Sequence, residues 1–181
     1  RPTLFRSYLE KKYFKGKNGI YSLVFEEAAK ITSKNRPIGT MESKPISAIT
    51  KEVTKRILIE NMFRDIRSVW PRSSRPWPHE VYVQQDNAKP HPSPDDPILI
   101  EEGNKDGLKI WLVCQPPNSP DTNVLDLGFF RAIQSLQHQK APSVIDELVN
   151  AVVTSFNEMK KEKLNDVFLS LQNCLIRNRK T

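Results

Sequence analysis

Glu80-Val81-Tyr82-Val83-Gln84-Gln85-Asp86 is a short β-branched and aromatic run that ends in a carboxylate and leads directly into Asn87-Ala88-Lys89-Pro90-His91. Valine and tyrosine in a run this short favour a strand, and Pro90 blocks helical continuation. The reading predicts a strand that presents Asp86 at its C-terminal end. Leu108-Lys-Ile-Trp-Leu-Val-Cys114 has the same character and is cut off by Gln115-Pro-Pro-Asn-Ser-Pro120, which predicts a second strand. Between the two, Pro94 to Gly103 suits the start of a short acidic helix.

Upstream, Ile49, Val53, Ile57, Asn61 or Met62, Ile66 and Trp70 recur at helical spacing, with Lys51, Lys55, Arg64 and Arg67 off that stripe. This predicts an amphipathic helix stopped by Pro71. Asn18 to Phe25 is an apolar, β-rich run after a Gly-containing turn and predicts a strand, whereas Lys30 to Pro45 is polar with two prolines. Arg1 to Lys17 has no clear period.

Downstream, Asn123 or Asp121 is placed to cap a helix with Asp126 in its first turn. Two further helices are expected, one carrying Val144, Leu148, Val152 and Phe156 on one face, the other Leu164, Phe168, Leu171 and Leu175. Three strands among this many helices point to an α/β layer structure with a mixed sheet in one domain of 181 residues, residues 143–181 forming its C-terminal helical part.

Composition supports a folded chain. Hydrophobic residues make up 38% and charged residues 27%, and no apolar run is long enough to cross a bilayer, so no membrane partner is expected. Cys114 and Cys174 form neither a disulfide framework nor a zinc cluster, and a reducing compartment is the simpler expectation. Arg1-Pro2-Thr3 opens without a basic-then-apolar leader, so no targeting peptide is expected.

Charge is distributed unevenly. The net +7 divides into +10 over residues 1–75, with 17 Lys+Arg against 7 Asp+Glu, and −3 over the rest, with 11 against 14. A basic half favours an anionic partner such as nucleic acid, although scattered lysines on a solvated surface look the same. Lys11, Lys12, Lys15 and Lys17 beside Tyr13 and Phe14 could contact phosphates. Arg72 and Arg75 near Trp70 and Trp77 could assist stacking on unpaired bases, the alternative being that both tryptophans simply pack. His91 and His138 read as solvated or hydrogen-bonded histidines, and no zinc site is expected.

Two-metal phosphoryl transfer needs carboxylates from separate segments to hold ions about 4 Å apart. Asp86 at a strand end and Asp126 behind a Pro-rich turn suit that task. The competing reading is structural, Asp86 closing a turn and Asp126 favouring a helix dipole.

The blocks Gln85-Asp86-Asn87-Ala88-Lys89-Pro90-His91 and Gln115-Pro-Pro-Asn-Ser-Pro-Asp-Thr-Asn-Val-Leu-Asp126 resemble the second and third catalytic blocks of mariner-like transposases, the plant subgroup in particular. The 39 residues between Asp86 and Asp126 resemble that subgroup's interval. The resemblance extends to Gly19-Ile-Tyr21, to Asn35-Arg-Pro-Ile-Gly-Thr40, and from Leu127-Gly-Phe-Phe130 into the C-terminal helices.

It implies a ribonuclease H-like fold, cut-and-paste DNA transposition in the nucleus, transposon-end DNA as partner, a possible homodimer, and two Mg²⁺ or Mn²⁺ ions. Asp86 and Asp126 would be the second and third metal ligands. Asn87 and His91 would belong to the surrounding motif without an assigned role, and Asp121 would serve the turn. The family's first catalytic Asp, its Glu-Lys-Trp type signature and its helix-turn-helix region would all precede Arg1, while relatives continue past Ile176 to Thr181. Asp65, the only aspartate before Asp86, falls within the amphipathic helix. The expectation is a partial catalytic domain, inactive alone, with a non-catalytic DNA-binding module as the alternative.

Overall fold

The computed structural model describes residues 19–34, 36–69, 80–138 and 144–178, with the side chains of 136–138 and 178 left out. In chain order the elements are β1 (Val24–Ala28), β2 (Met41–Pro45), α1 (Lys51–Ile57), a π-helical turn (Leu58–Phe63), α2 (Arg64–Val69), β3 (Glu80–Gln85), α3 (Pro97–Gly103), β4 (Lys109–Cys114), a second π-helical turn (Leu125–Phe129), α4 (Phe130–His138), α5 (Ile145–Glu158) and α6 (Lys161–Asn178). The class is α/β. Among the described residues the strands form two separate pairs, β1–β2 antiparallel and β3–β4 parallel, in place of the single mixed sheet expected.

The chain divides into two compact units. One contains Ile49–Phe129 and the residues from Lys160 onward, and the other contains Ile20–Ala48 and Phe130–Met159.

In the first unit β3 and β4 run parallel in register, Glu80 beside Lys109 through Gln85 beside Cys114, with α3 in the crossover. Ile110 and Leu112 alternate inward from β4 and are buried with Leu58, Phe63, Ile66, Leu99 and Leu108, while Val81 and Val83 of β3 pack against them. This core faces the helical segment 51–69. The expected apolar stripe is only part of the story there, because Ile49 is exposed and the deepest side chains are Leu58, Phe63 and Ile66. Positions five apart lie about 140° apart around an α-helix. The π turn, with its wider repeat, brings Leu58 and Phe63 to the same side.

Two cations expected off the stripe are also drawn in. Lys55 Nζ lies 2.7 Å from Asp96 Oδ2, and both side chains are largely buried. Asp96 also caps α3, accepting the N–H groups of Ile98 and Leu99 at 3.0 and 3.3 Å. The ammonium of Lys55 beside it, with these N–H donors, holds the Asp96 carboxyl below its ordinary range, and Lys55 is raised by the same contact. Arg67 donates to the carbonyls of Glu102 and Lys105 at the C-terminal end of α3, where a cation is favoured, and lies over the Phe63 ring. Gly103 closes α3 against β4: a Cβ there would sit 2.3 Å from the Ile110 carbonyl oxygen, so no larger residue fits.

The second unit holds β1 and β2, which pair from Val24 opposite Pro45 to Ala28 opposite Met41. The strand expected over residues 18–25 is displaced towards the C-terminus, and β2 lies in the stretch read only as polar with two prolines. Met41-Glu-Ser-Lys-Pro45 lacks an apolar alternation, and its extended form is imposed by pairing with β1. Glu42 adds ion pairs to Arg36 and to Lys44, the latter at 2.8 Å. α5 packs on β2 and on α4, burying Ala151, Ser155 and Phe156.

Candidate functional site

β3 ends at Gln85, so Asp86 stands at the carboxyl end of the parallel pair, the edge at which α/β sheets habitually bind ligands. The ladder runs one step further, Gln115 N–H donating to the Gln85 carbonyl at 2.7 Å. Asn87 Nδ2 donates to the Gln115 carbonyl at 2.9 Å, locking the exit of β3 to the exit of β4.

Asp86 is about half exposed, and its two oxygens differ. Oδ1 accepts the Ala88 N–H at 2.8 Å, the turn-closing role anticipated for it, and also lies 2.8 Å from His91 Nδ1. Among the described residues Oδ2 has no protein partner.

The segment after β4 is rigidified from several sides. Asn118 adopts a left-handed backbone, a conformation Asn tolerates, within the turn Pro116 to Pro120. Gln115 Nε2 donates to the Ser119 carbonyl at 2.8 Å, and Thr122 Oγ1 donates to the same oxygen at 2.8 Å. Gln84 Nε2 donates to the Thr122 carbonyl at 3.1 Å, tying this loop to β3. The loop is therefore anchored at the end of the parallel pair that carries Asp86.

Asp126 follows in the π-helical turn. Asn123 is the cap: its Oδ1 accepts the Leu125 N–H at 3.1 Å, and its Nδ2 donates to Asp126 Oδ2 at 2.7 Å. Asp126 is exposed, and among the described residues its Oδ1 has no partner. Asp121 lies in the short 3₁₀ turn Pro120–Thr122, in keeping with a turn role. Behind the segment, α6 packs on both turns and buries Leu164 and Val167.

The structure thus brings Asp86 together with His91, and Asp126 together with Asn123. Among the described residues no three His, Cys, Asp or Glu side chains gather closely enough to hold a metal ion. Hard carboxylate oxygens, one left free on each residue, are nevertheless the donor type that Mg²⁺ and Mn²⁺ prefer. Asp65 lies in α2.

Sequence reasoning named Asn123, with Asp121, as the candidate cap, but did not find the bond from its amide to Asp126 or the contributions of Gln84 and Gln115. Only the capping preference of Asn gave a signal, since side-chain amides that reach backbone carbonyls leave no pattern in a sequence. Lys11, Lys12, Lys15, Lys17, Arg72 and Arg75, with Trp70, Trp77 and the side chain of His138, lie outside the described residues. Comparison with protein-family models, with curated proteins and with solved structures returned no match to this chain.

Proposed function

We propose that this chain is part of the catalytic domain of a mariner-like DNA transposase, a ribonuclease H-like unit acting in the nucleus on transposon-end DNA, as a homodimer in its complete form. The observation that carries the reading is the pair of acidic blocks, 39 residues apart, anchored at one end of a parallel strand pair. Asp86 and Asp126 would hold Mg²⁺ or Mn²⁺ through their free oxygens. A divalent cation bound there supplies charge neutralisation at a phosphodiester and acidifies a water or 3′ hydroxyl. Asn87 and Gln84 fix the two carboxylate-bearing segments to the same strand end, so that the charges need little reorganisation.

Two carboxylates leave one ion short of ligands, so the 181-residue chain incubated with Mn²⁺ and transposon-end DNA should cleave weakly or not at all. Robust cleavage abolished by Asp86→Ala would refute the inactivity and strengthen the catalytic reading. Mn²⁺ binding that Asp86→Asn leaves unchanged would count against Asp86 as a ligand.

The +10 balance over residues 1–75 favours a second reading, a DNA-binding module derived from a transposase and lacking chemistry. It predicts DNA binding with no Mn²⁺ site at Asp86. Affinity that stays constant between roughly 50 and 200 mM salt, a range over which phosphate contacts cost decades of binding, would speak against both.

A further inference from the structure

His91 Nδ1 lies 2.8 Å from Asp86 Oδ1 and 2.9 Å from the Asp86 backbone carbonyl oxygen. Both neighbours are acceptors when the carboxyl is ionised, so a lone pair on Nδ1 would face two oxygens and be repelled. The proton must therefore sit on Nδ1, whether the ring is neutral or cationic. A neutral histidine free in water favours the other tautomer, so this assignment is specific to the site.

One ring N–H bridging the side chain and main chain of the same residue fixes the Asp86 side-chain torsion relative to its backbone. The Ala88 N–H on Oδ1 adds a second restraint. Oδ1 is thereby taken up by protein donors, and Oδ2 is left as the oxygen directed away from them. His91 has few alternative positions itself. It follows Pro90 and precedes the buried Pro92, its N–H donates to the Ala88 carbonyl at 3.0 Å, and Gln85 Nε2 holds the Pro92 carbonyl at 2.7 Å.

We propose that His91 is the positioning residue for Asp86: its Nδ1–H holds Oδ1 and so reserves Oδ2 for a divalent cation. This rests on the reading of Asp86 as a metal ligand. It adds which oxygen binds and what orients it. A hydrogen-bonded partner of this kind is worth roughly tenfold in metal affinity.

The test uses the ¹⁵N-labelled full chain. Without metal, the long-range ¹⁵N–¹H histidine spectrum should show His91 protonated at Nδ1, and Asp86→Ala should shift it towards the Nε2 tautomer. An Nε2–H tautomer in the unaltered chain would overturn the proposal without touching the metal reading. With Mn²⁺ added, paramagnetic broadening should centre on the amides of residues 86–88.

His91→Ala should weaken Mn²⁺ binding by about tenfold. His91→Asn, whose amide N–H can occupy the place of Nδ1–H, should restore most of it, whereas His91→Gln, of similar bulk with its donor displaced, should not. Unchanged Mn²⁺ affinity in His91→Ala, with binding still lost in Asp86→Asn, would refute the positioning role and leave Asp86 a ligand. If Asp86→Asn also has no effect, the ligand reading falls and the proposal falls with it, even with the Nδ1 tautomer in place. Should His91→Ala fail to give a dispersed spectrum, the Asn and Gln variants decide alone, and equal affinities in the two overturn the proposal.

Discussion

The two strand pairs of this chain are held by opposite means. β3 and β4 run parallel and rest on a buried cluster in which Phe63 and Leu99 are almost wholly shielded from water. β1 and β2 run antiparallel, and large apolar side chains on them stay in solvent, with Phe25 and Met41 about half exposed. Beyond the packing of α5 on β2, their cohesion comes from the backbone ladder and the charges around Glu42. A parallel ladder is slightly weaker per residue and is normally covered, so it depends on packing, whereas an antiparallel hairpin can close by local pairing. The candidate site stands on the packed pair, where anchoring carboxylates against a rigid strand end is possible.

The largest expected effect tests that contrast directly. Phe63→Ala removes the most buried aromatic side chain of the cluster and should cost about 4 kcal/mol, read as a fall in the denaturation midpoint. A loss below about 1 kcal/mol would mean that packing does not hold the parallel pair. Gly103→Ala comes next. Its Cβ would press on the main-chain carbonyl of Ile110, which cannot rotate aside, so about 2–3 kcal/mol is expected. The same substitution at Gly107, where a Cβ meets nothing, probes only the cost of a left-handed backbone.

What the amino-acid order discloses follows the same division. β3, α3 and β4 are legible because Val, Tyr, Ile and Leu alternate between prolines and Asp96 precedes a proline-started helix. β2 is not, because a strand made of Met41-Glu-Ser-Lys-Pro45 exists only through its partner. In the segment 51–69 the helix is legible, but the π turn is hidden, since a five-residue apolar spacing looks like a defect in a regular pattern. Lys55 and Arg67 read as surface charges because nothing local signals Asp96 or the carbonyls of α3 opposite them. At the site, the place of Asp86 on a strand end is visible in the sequence. Its contact with His91 depends on how Lys89-Pro90-His91 folds back, which no local pattern of residues signals.

Acid should separate the two regions further. The Asp96 carboxyl is held below its ordinary value by Lys55, so the folded state takes up a proton less readily there than the unfolded chain does. The stabilisation is complete above about pH 4 and is lost as the pH falls through the lowered folded value. Lys55 has the opposite sign: its raised value contributes below the ordinary lysine range and is lost only as the pH rises through the folded value. Asp96→Asn keeps an oxygen to cap α3 and loses the ion pair, so thermal unfolding monitored between pH 2 and 5 should depend less on pH than in the unaltered chain. An identical profile would show that the Lys55 contact does not act on folding.

The smallest expected effect is the most discriminating for the other region. Phe25 faces solvent in β1 opposite Lys44, so Phe25→Ala removes little packing and should change stability by no more than about 0.5 kcal/mol. It is an aromatic to alanine change like Phe63→Ala, and the ratio of the two costs measures how far the hairpin depends on burial. Denaturation at two protein concentrations tenfold apart sharpens the comparison. A cost for Phe25→Ala approaching that of Phe63→Ala, present only at the higher concentration, would mean that a second copy covers the hairpin face. A large cost at both concentrations would mean that the hairpin relies on intramolecular packing, and the contrast between a packed pair and a paired one would collapse.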